Sequence, residues 1–295
     1  MEAHQKYLIS LLCQYVYENF QLANILAIIE GVSMPDFFSK EQLIHMLHEI
    51  QHKGWIKNKR PGNAGGVGNT LEDLLGINEN NLPIPNASEW ELKCHRRNSE
   101  SLSTLFHSEP SPRALKIVPS MLLPRYGWSH TLAGTKYPLS EMSFRQTISG
   151  LKSSDRGFKV TIDRGQAKIA VSFNSRAVDP RHEEWLSAVN KRVGLGELNP
   201  QPYWGFTDIF HKAGTKILNT FFVIADVQKD EQGNEYFNYS TIEKLTNFSI
   251  EGFINAIESG HLFIDFDART GHNHGTKFRI KERDLPLLYE CIEIV

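Results

Sequence analysis

Cysteine is scarce in this sequence of 295 residues: there are three, Cys13, Cys94 and Cys291, and they form no CxxC pair. This spacing argues against a disulfide framework and a structural zinc site, and it predicts reduced thiols in a cytoplasmic protein. No apolar run approaches the roughly 20 residues that cross a bilayer. The N-terminus also lacks the basic and apolar regions of a signal peptide. We therefore expect a soluble protein that has no membrane partner.

Net charge is also small, −2, but the charges are unevenly distributed along the chain. Residues 91–176 contain 14 Lys and Arg against 6 Asp and Glu, whereas residues 226–266 contain 2 Lys against 8 Asp and Glu. A basic centre beside an acidic region suits a protein that faces a polyanion with one side only. An uneven but simply solvated surface would give the same counts, so charge alone does not decide between them.

The first 60 residues have the pattern of a small helical module. Apolar residues recur at helical spacing over residues 7–16 and 22–29. A third helix is predicted to begin at Ser39, with Gln42 completing a capping box, and to stop before Gly54. Three helices followed by a short strand at residues 55–57 resemble a winged helix, a DNA-binding fold. A plain three-helix bundle used for packing or dimerisation is the alternative.

A basic, glycine-rich joint over residues 57–68 predicts a boundary, and mixed helix and strand patterns follow it. Alternating apolar residues predict a β-hairpin over residues 158–173, turning at Arg164-Gly165. A buried strand is expected at residues 220–227 and a helix at 248–259. Strands at 261–266 and 276–280 would flank a polar loop. We therefore expect an α/β (α+β) domain over residues 61–295.

Candidate catalytic residues follow the joint. A glycine loop leads into a short helix whose leucines face the core, which leaves Glu72 on a different face. Further on, Glu91 and Lys93 share one face of a predicted strand, while Trp90 and Leu92 enter the core. Carboxylates hold Mg²⁺, the metal activates a water, and a nearby lysine offsets negative charge, which is the chemistry of phosphodiester cleavage. Taken alone, an ExK triplet is more typical of a surface ion pair on an exposed strand face.

The order of the motifs resembles the MvaI and BcnI restriction endonucleases, in the MutH-like branch of the PD-(D/E)xK nucleases. One block of similarity comprises residues 65–77, 85–93 and 103–106, and a second comprises residues 264–269, 273–280 and 285–289. The resemblance does not cover the first 60 residues. It implies a MutH-like mixed sheet flanked by helices, with a catalytic part over about 61–175 and a base-reading part over about 200–295.

By this resemblance Glu72, Asn86 and Glu91 occupy the positions of the Mg²⁺ ligands, and Lys93 that of the catalytic lysine. Asn86 departs from the family pattern, which has an aspartate there. A neutral amide is a poor substitute for a carboxylate that binds a metal directly. Either the sequence is an engineered inactive form, or the protein has lost cleavage and kept DNA binding. We favour the first interpretation because Glu72, Glu91 and Lys93 are intact.

The C-terminal block suits the reading of bases. Asp267 is able to accept a hydrogen bond from a cytosine amino group, and Arg269 to donate two to a guanine. The predicted DNA-binding residues are Asp267, Arg269, His272, Asn273, His274, Thr276, Lys277 and Arg279. The alternative is a solvated loop in which Arg269 pairs with Asp265 or Asp267.

The predicted function is therefore that of a Mg²⁺-dependent type II restriction endonuclease acting on double-stranded DNA. The resemblance implies a short, G·C-rich site of the CCNGG kind, a monomer on DNA, and a cognate DNA methyltransferase as genetic partner. Two alternatives remain: a cleavage-deficient, sequence-specific DNA-binding protein, and a MutH-like repair nickase.

Overall fold

The computed structural model describes residues 39–63, 65–77 and 90–295, and the chain divides into two compact units, residues 1–43 and 44–295. Helix α1 (Lys40–His52) begins where predicted. The capping box is confirmed, because the Ser39 amide donates to Gln42 Oε1 over 2.8 Å and the Gln42 amide donates to Ser39 Oγ over 3.2 Å. The two helices predicted before Ser39 lie outside the described residues, and so does Asn86.

Sheet A has five strands, in the order β1-β10-β9-β2, with β13 also paired to β10. Its strands are β1 (Ile56–Lys57), β2 (Trp90–Arg96), β9 (Asn219–Lys229), β10 (Glu235–Phe248) and β13 (Tyr289–Ile294). Only β2 and β9 run parallel; the other pairs are antiparallel. Helix α2 (Gly66–Leu75) packs against β2, and the Tyr239 hydroxyl of β10 donates to the Val67 carbonyl over 2.9 Å.

The short strand predicted at residues 55–57 is confirmed as β1. Although the predicted module includes this strand, it pairs with a strand outside the module. Ile56 pairs with Phe237 and Lys57 with Tyr236, so β1 is part of sheet A. A module ending at residue 60 stays a prediction, since most of it lies outside the described residues.

Sheet B also has five strands, in the order β3-β12-β11-β5-β4. Its strands are β3 (Leu102–His107), β4 (Trp128–Ser129), β5 (Met142–Ser149), β11 (Leu262–Arg269) and β12 (His272–Lys281). Every second residue of β11 is buried, which turns Leu262, Ile264, Phe266 and Ala268 inward. The intervening side chains of β11 form one polar face of the sheet.

The polar loop predicted between these last two strands is shorter than expected. Arg269 pairs with His272, so only Thr270 and Gly271 form the turn, and Gly271 has the positive φ that such a turn requires. His272, Asn273 and His274 therefore lie on β12 rather than in a loop.

Sheet C is the predicted hairpin, β6 (Arg156–Asp163) and β7 (Lys168–Val178), extended by β8 (Tyr203–Gly205). The remaining α-helices are α3 (Leu123–Tyr126), α4 (Glu183–Val193), α5 (Phe206–Gly214) and α6 (Ile250–Glu258). Short 3₁₀ or π turns cover Arg113–Leu115, Val118–Leu122, Pro180–His182 and Glu282–Leu288. Among the described residues, no helix has both the length and the apolar character that a membrane crossing needs.

Candidate active site

The predicted catalytic pair lies on β2, at one edge of sheet A. Glu91 and Lys93 share a face of the strand, as predicted, and Lys93 Nζ lies 2.7 Å from Glu91 Oε1. Trp90 and Leu92 are buried on the opposite face, where the Trp90 ring packs against Phe221 with 4.6 Å between ring centroids. The alternation of the strand thus separates the two charged groups from the apolar ones.

Glu91 is only 2% exposed, and one of its oxygens lacks a partner. Oε1 faces the Lys93 ammonium, whereas Oε2 is buried without a hydrogen-bond donor among the described residues. A buried charged oxygen left in this state is costly, since its hydration is lost and nothing replaces it. A hard divalent cation, which prefers oxygen ligands, would satisfy it. The residue therefore fits a metal ligand.

Glu72 lies on α2 and is partly buried. Burial raises the pKa of the Cys94 thiol, and the negative charges of Glu282 and Glu72 raise it further. The Glu72 carboxylate is therefore within electrostatic reach of β2, the strand that carries Glu91. Among the described residues no three His, Cys, Asp or Glu side chains are gathered closely enough to hold a metal ion. The third predicted ligand position, Asn86, is outside that set.

A buried hydrogen-bond chain supports the strand beside Glu91. Thr220 of β9 is the register partner of Glu91 and is fully buried. Its hydroxyl lies 2.7 Å from the Tyr289 hydroxyl, which also donates to the Ile217 carbonyl over 2.7 Å. Burial raises the pKa of Tyr289, so this hydroxyl keeps its proton at neutral pH. Tyr289 belongs to the second block of similarity, but the sequence alone indicated no role for it.

The polar face of sheet B brings several of the predicted DNA-binding residues together. Asp267 lies 2.5 Å from Arg145 Nε and 3.3 Å from Lys277 Nζ. Burial raises the pKa of the Asp267 carboxyl, but hydrogen bonds from Arg145 and Lys277 outweigh it and hold the pKa below its ordinary value. Arg279 lies 3.5 Å from Asp265 and donates to the Leu102 carbonyl over 2.7 Å.

Arg269 has a partner that the sequence did not indicate. Its Nη1 lies 3.1 Å from Oε1 of Glu141, which is the residue just before β5. The alternative prediction, pairing with Asp265 or Asp267, is wrong. Register explains the difference, because Arg269 is opposite Ser143 in β5 and so lies next to the start of that strand.

The other predicted contacts fall into two groups. His272, Asn273 and His274 are exposed at the tip of the hairpin, with 4.2 Å between the two imidazole centroids. Thr276 is 0% exposed and faces the core, so its side chain does not reach a ligand on this face. Arg145 and Glu141 were not among the residues predicted from the sequence, where the one signal for Arg145 was its place in the basic segment 91–176 and Glu141 gave none.

His95 completes the row of side chains that begins with Glu91 and Lys93. Its ring stacks on Phe222 with 4.7 Å between centroids and 1° between planes. Both ring nitrogens are buried without a hydrogen-bond partner among the described residues. Burial lowers the pKa of the imidazole below its ordinary 6.5, and the charge of Arg97 also lowers it, which keeps the ring neutral at pH 7.

A family model and solved structures match this chain. The family model described as "MvaI/BcnI restriction endonuclease family" matches residues 44–289. The expectation that the resemblance leaves out the first 60 residues is therefore wrong for residues 44–60. A solved structure, "Restriction endonuclease MvaI-cognate DNA substrate complex", is similar with a TM-score of 0.65 and 24% identity, over 87% of this chain and 99% of that one. A second, "Restriction endonuclease MvaI in the absence of DNA", gives a TM-score of 0.51 and 23% identity, over 89% and 99%. The search of curated proteins gives no match.

The neutral, buried state of His95 predicts a loss of stability in mild acid. Because its pKa is lowered on folding, the unfolded chain binds the proton more tightly, so stability is complete above pH 6.5 and falls as the pH drops below that value. His95→Leu should reduce this fall, measured as the free energy of unfolding in urea at about pH 7.5 and about pH 5.5.

His107→Leu is the matched control. The pKa of His107 is also lowered, by partial desolvation and by the Lys277 charge, but the side chain is much more exposed than that of His95, so we expect a smaller effect. An unchanged pH dependence in His95→Leu would show that His95 is not the group responsible.

Proposed function

The chain belongs to the MvaI/BcnI restriction endonuclease family, and we propose that it is a Mg²⁺-dependent type II enzyme that hydrolyses double-stranded DNA at a short, G·C-rich site of the CCNGG kind. The observation that carries this proposal is the buried Glu91 carboxylate, paired with Lys93 through one oxygen and unpartnered at the other among the described residues. Such an oxygen is suited to a cation, and the neighbouring ammonium to a phosphate.

Each catalytic residue has a role that follows from its position. Glu91 and Glu72 would hold the Mg²⁺ ion together with residue 86. When bound, Mg²⁺ supplies an activated water and neutralises charge on the reacting phosphate. Lys93 is 21% exposed, so its ammonium is able to donate hydrogen bonds to a phosphate oxygen while it stays close to Glu91. That contact would stabilise negative charge in the transition state.

The polar face of sheet B would read the bases. We propose that Arg269 contacts a guanine and that Asp267, Lys277 and Arg279 complete the reading surface. His272, Asn273 and His274, at the exposed hairpin tip, would enter the groove. Thr276 is not retained, because it faces the core. The complex of MvaI with its cognate DNA, a structure similar to this chain, supports double-stranded DNA as the partner.

Asn86 favours a second candidate function. An amide at a metal-ligand position suits a protein that binds its site without cutting it, either because it is an engineered inactive form or because cleavage has been lost. A MutH-like nickase that depends on partner proteins is the third candidate. The purified protein distinguishes these functions once a carboxylate is placed at position 86.

We also propose a role for the N-terminal residues. Residues 1–60 would form a winged-helix-like module that adds DNA affinity, since Lys53, Lys57 and Lys59 are exposed, whereas Arg60 pairs with Asp73. Residues 61–295 would form the nuclease domain, acting as a monomer on DNA. A cognate DNA methyltransferase would protect host sites.

Asn86→Asp should create or restore Mg²⁺-dependent cleavage. The substitution supplies the missing carboxylate, and we expect a gain of roughly a hundredfold or more, the scale on which disturbed metal sites lose activity. The measurement is the fraction of plasmid DNA cut by purified protein, with sequencing of the fragment ends. The unsubstituted protein, with Asn86, should bind the same site without cutting it.

Asn86→Asp combined with Lys93→Ala serves as the control, because it keeps all three carboxylates and removes the ammonium. This double variant should stay inactive. Vigorous cutting by the unsubstituted chain would contradict the assignment of Asn86, and site-specific cutting by Asn86→Asp alone would exclude a partner-dependent nickase.

A monomer has one set of Glu72, Glu91 and Lys93 for two scissile phosphates, so it must cut the strands one after the other. Supercoiled plasmid with one site should therefore pass through an open-circle intermediate before it becomes linear under Asn86→Asp protein. Gel analysis of a time course measures this. Direct conversion to linear DNA, together with a dimer mass in solution, would show that two copies act at once.

Replacing both Lys57 and Lys59 by alanine should weaken DNA binding and reduce its dependence on salt without changing the preferred site. Both side chains are exposed, so the substitutions leave the buried core untouched. Fewer phosphate contacts give a smaller slope of log affinity against log salt. Binding measured at several salt concentrations, with a selection from randomised duplexes, tests both parts; a changed preferred sequence would show that the module reads bases.

A further inference from the structure

Arg269 is enclosed by the segment that joins β4 to β5, residues 130–141, which the proposed function has not used. Its guanidinium contacts both the Glu141 carboxylate and the ring of Tyr137. The segment is far from Arg269 in sequence, since 128 residues separate Arg269 from Glu141. The two meet only because β11 pairs with β5.

The Glu141 side chain is 7% exposed and its carboxylate lies 3.1 Å from Arg269 Nη1. Burying a carboxylate beside a guanidinium strengthens their attraction, because little water screens it. No other hydrogen bond of Arg269 to a described side chain accompanies this one. The remaining guanidinium donors therefore stay available on a side chain that is 27% exposed.

The Tyr137 ring makes a second contact with Arg269. The guanidinium carbon lies 4.8 Å from the ring centroid, within the range of a cation–π interaction. The ring itself is held by His130, edge to face, with 4.9 Å between centroids. His130 is buried, and its Nδ1 accepts a hydrogen bond from the Leu132 amide over 3.0 Å.

Backbone hydrogen bonds close the segment into a fixed loop. The His130 amide donates to the Glu141 carbonyl over 2.9 Å, and the Gly134 amide donates to the Tyr137 carbonyl over 2.8 Å. Tyr137 and Glu141 are thus carried on a framework that is tied at both ends. An arginine held in this way has lost rotational freedom before any ligand arrives, so binding costs less conformational entropy.

We propose that Tyr137 and Glu141 are positioning residues that hold Arg269 in the orientation in which it reads a guanine of the DNA site. This inference rests on the proposed function, since it requires that Arg269 contact a base. It goes further by assigning sequence discrimination to two residues that would not touch the DNA through their own hydrogen bonds. A purely structural ion pair would stabilise the fold without affecting discrimination at one base pair.

The test uses the full-length protein with Asn86, which is expected to bind DNA without cutting it. The probe is the duplex that this chain enriches from a randomised pool. Each G·C pair of that duplex is then replaced by A·T, and Kd is measured for every replacement. The readout is the ratio of Kd values between replaced and selected duplex at each position. Thermal unfolding of every variant is measured in parallel.

Arg269→Lys should lower that ratio at one G·C position by roughly 10-fold or more, because an ammonium does not reproduce the planar pair of donors. Glu141→Gln and Tyr137→Leu should each lower it at the same position by about 3- to 10-fold, within the range of a single misplaced base contact. Tyr137→Phe, which keeps the ring, should restore it. Asp265→Asn, beside Arg279 on the same face, is the matched control and should leave that position unchanged.

The outcomes separate the two levels of the proposal. If Arg269→Lys loses discrimination while Glu141→Gln and Tyr137→Leu keep it fully, the positioning role is wrong and the proposed function stands. If Arg269→Lys also leaves every ratio unchanged, Arg269 does not read a base. If the Glu141→Gln variant unfolds, Tyr137→Leu and Tyr137→Phe decide whether the positioning role is right. Tyr137 lies on the surface loop and is only partly buried, so these variants should fold.

Discussion

The burial of one carboxylate, Glu91, is the constraint on which the proposed catalytic site depends. A charge with so little exposure must be compensated, and Lys93 compensates one oxygen from two residues away on the same strand face. That arrangement requires β2 to stay extended and in register with β9. Tyr289 contributes by bonding both Thr220, the register partner of Glu91, and the carbonyl of Ile217. The fold thus fixes the carboxylate from its strand, its neighbour strand and the C-terminal part of the chain.

Charge behaves differently in the fold than along the sequence. The basic segment and the acidic segment meet directly: Arg96 pairs with Glu235, Arg97 with Asp226, and Arg164 with Glu251 and Glu258. Much of the apparent surplus is therefore neutralised. On the polar face of sheet B, Arg145 and Lys277 also pair with Asp267, so DNA that contacts these two cations would have to take the place of that carboxylate. Such exchange favours a ligand that replaces every lost hydrogen bond, which is a source of specificity.

The sequence predicted those features that depend on local periodicity. Three such features involve residues that are close in sequence, and all three are confirmed. They are the capping box at Ser39, the hairpin over residues 158–173 and the shared face of Glu91 and Lys93. Contacts set by strand register were not accessible in this way. The partner of Arg269 depends on which residue of β5 lies opposite it. Thr276 is a different case, because it shares a face of β12 with the buried Phe278 and Ile280, as the alternation of the predicted strand implies.

This division has a consequence for how specificity and catalysis relate. The Glu91–Lys93 pair forms within one strand of sheet A. The surroundings of Arg269 depend instead on the pairing of two strands of sheet B that are far apart in sequence. In the proposed function, a substitution at Glu141 or Tyr137 would alter the surroundings of Arg269 without touching the register of β2. The proposed reading surface would therefore change its preferred base while the proposed catalytic strand stays the same. A fold that separates its chemistry from its recognition in this manner is suited to enzymes that share a mechanism and differ in their sites.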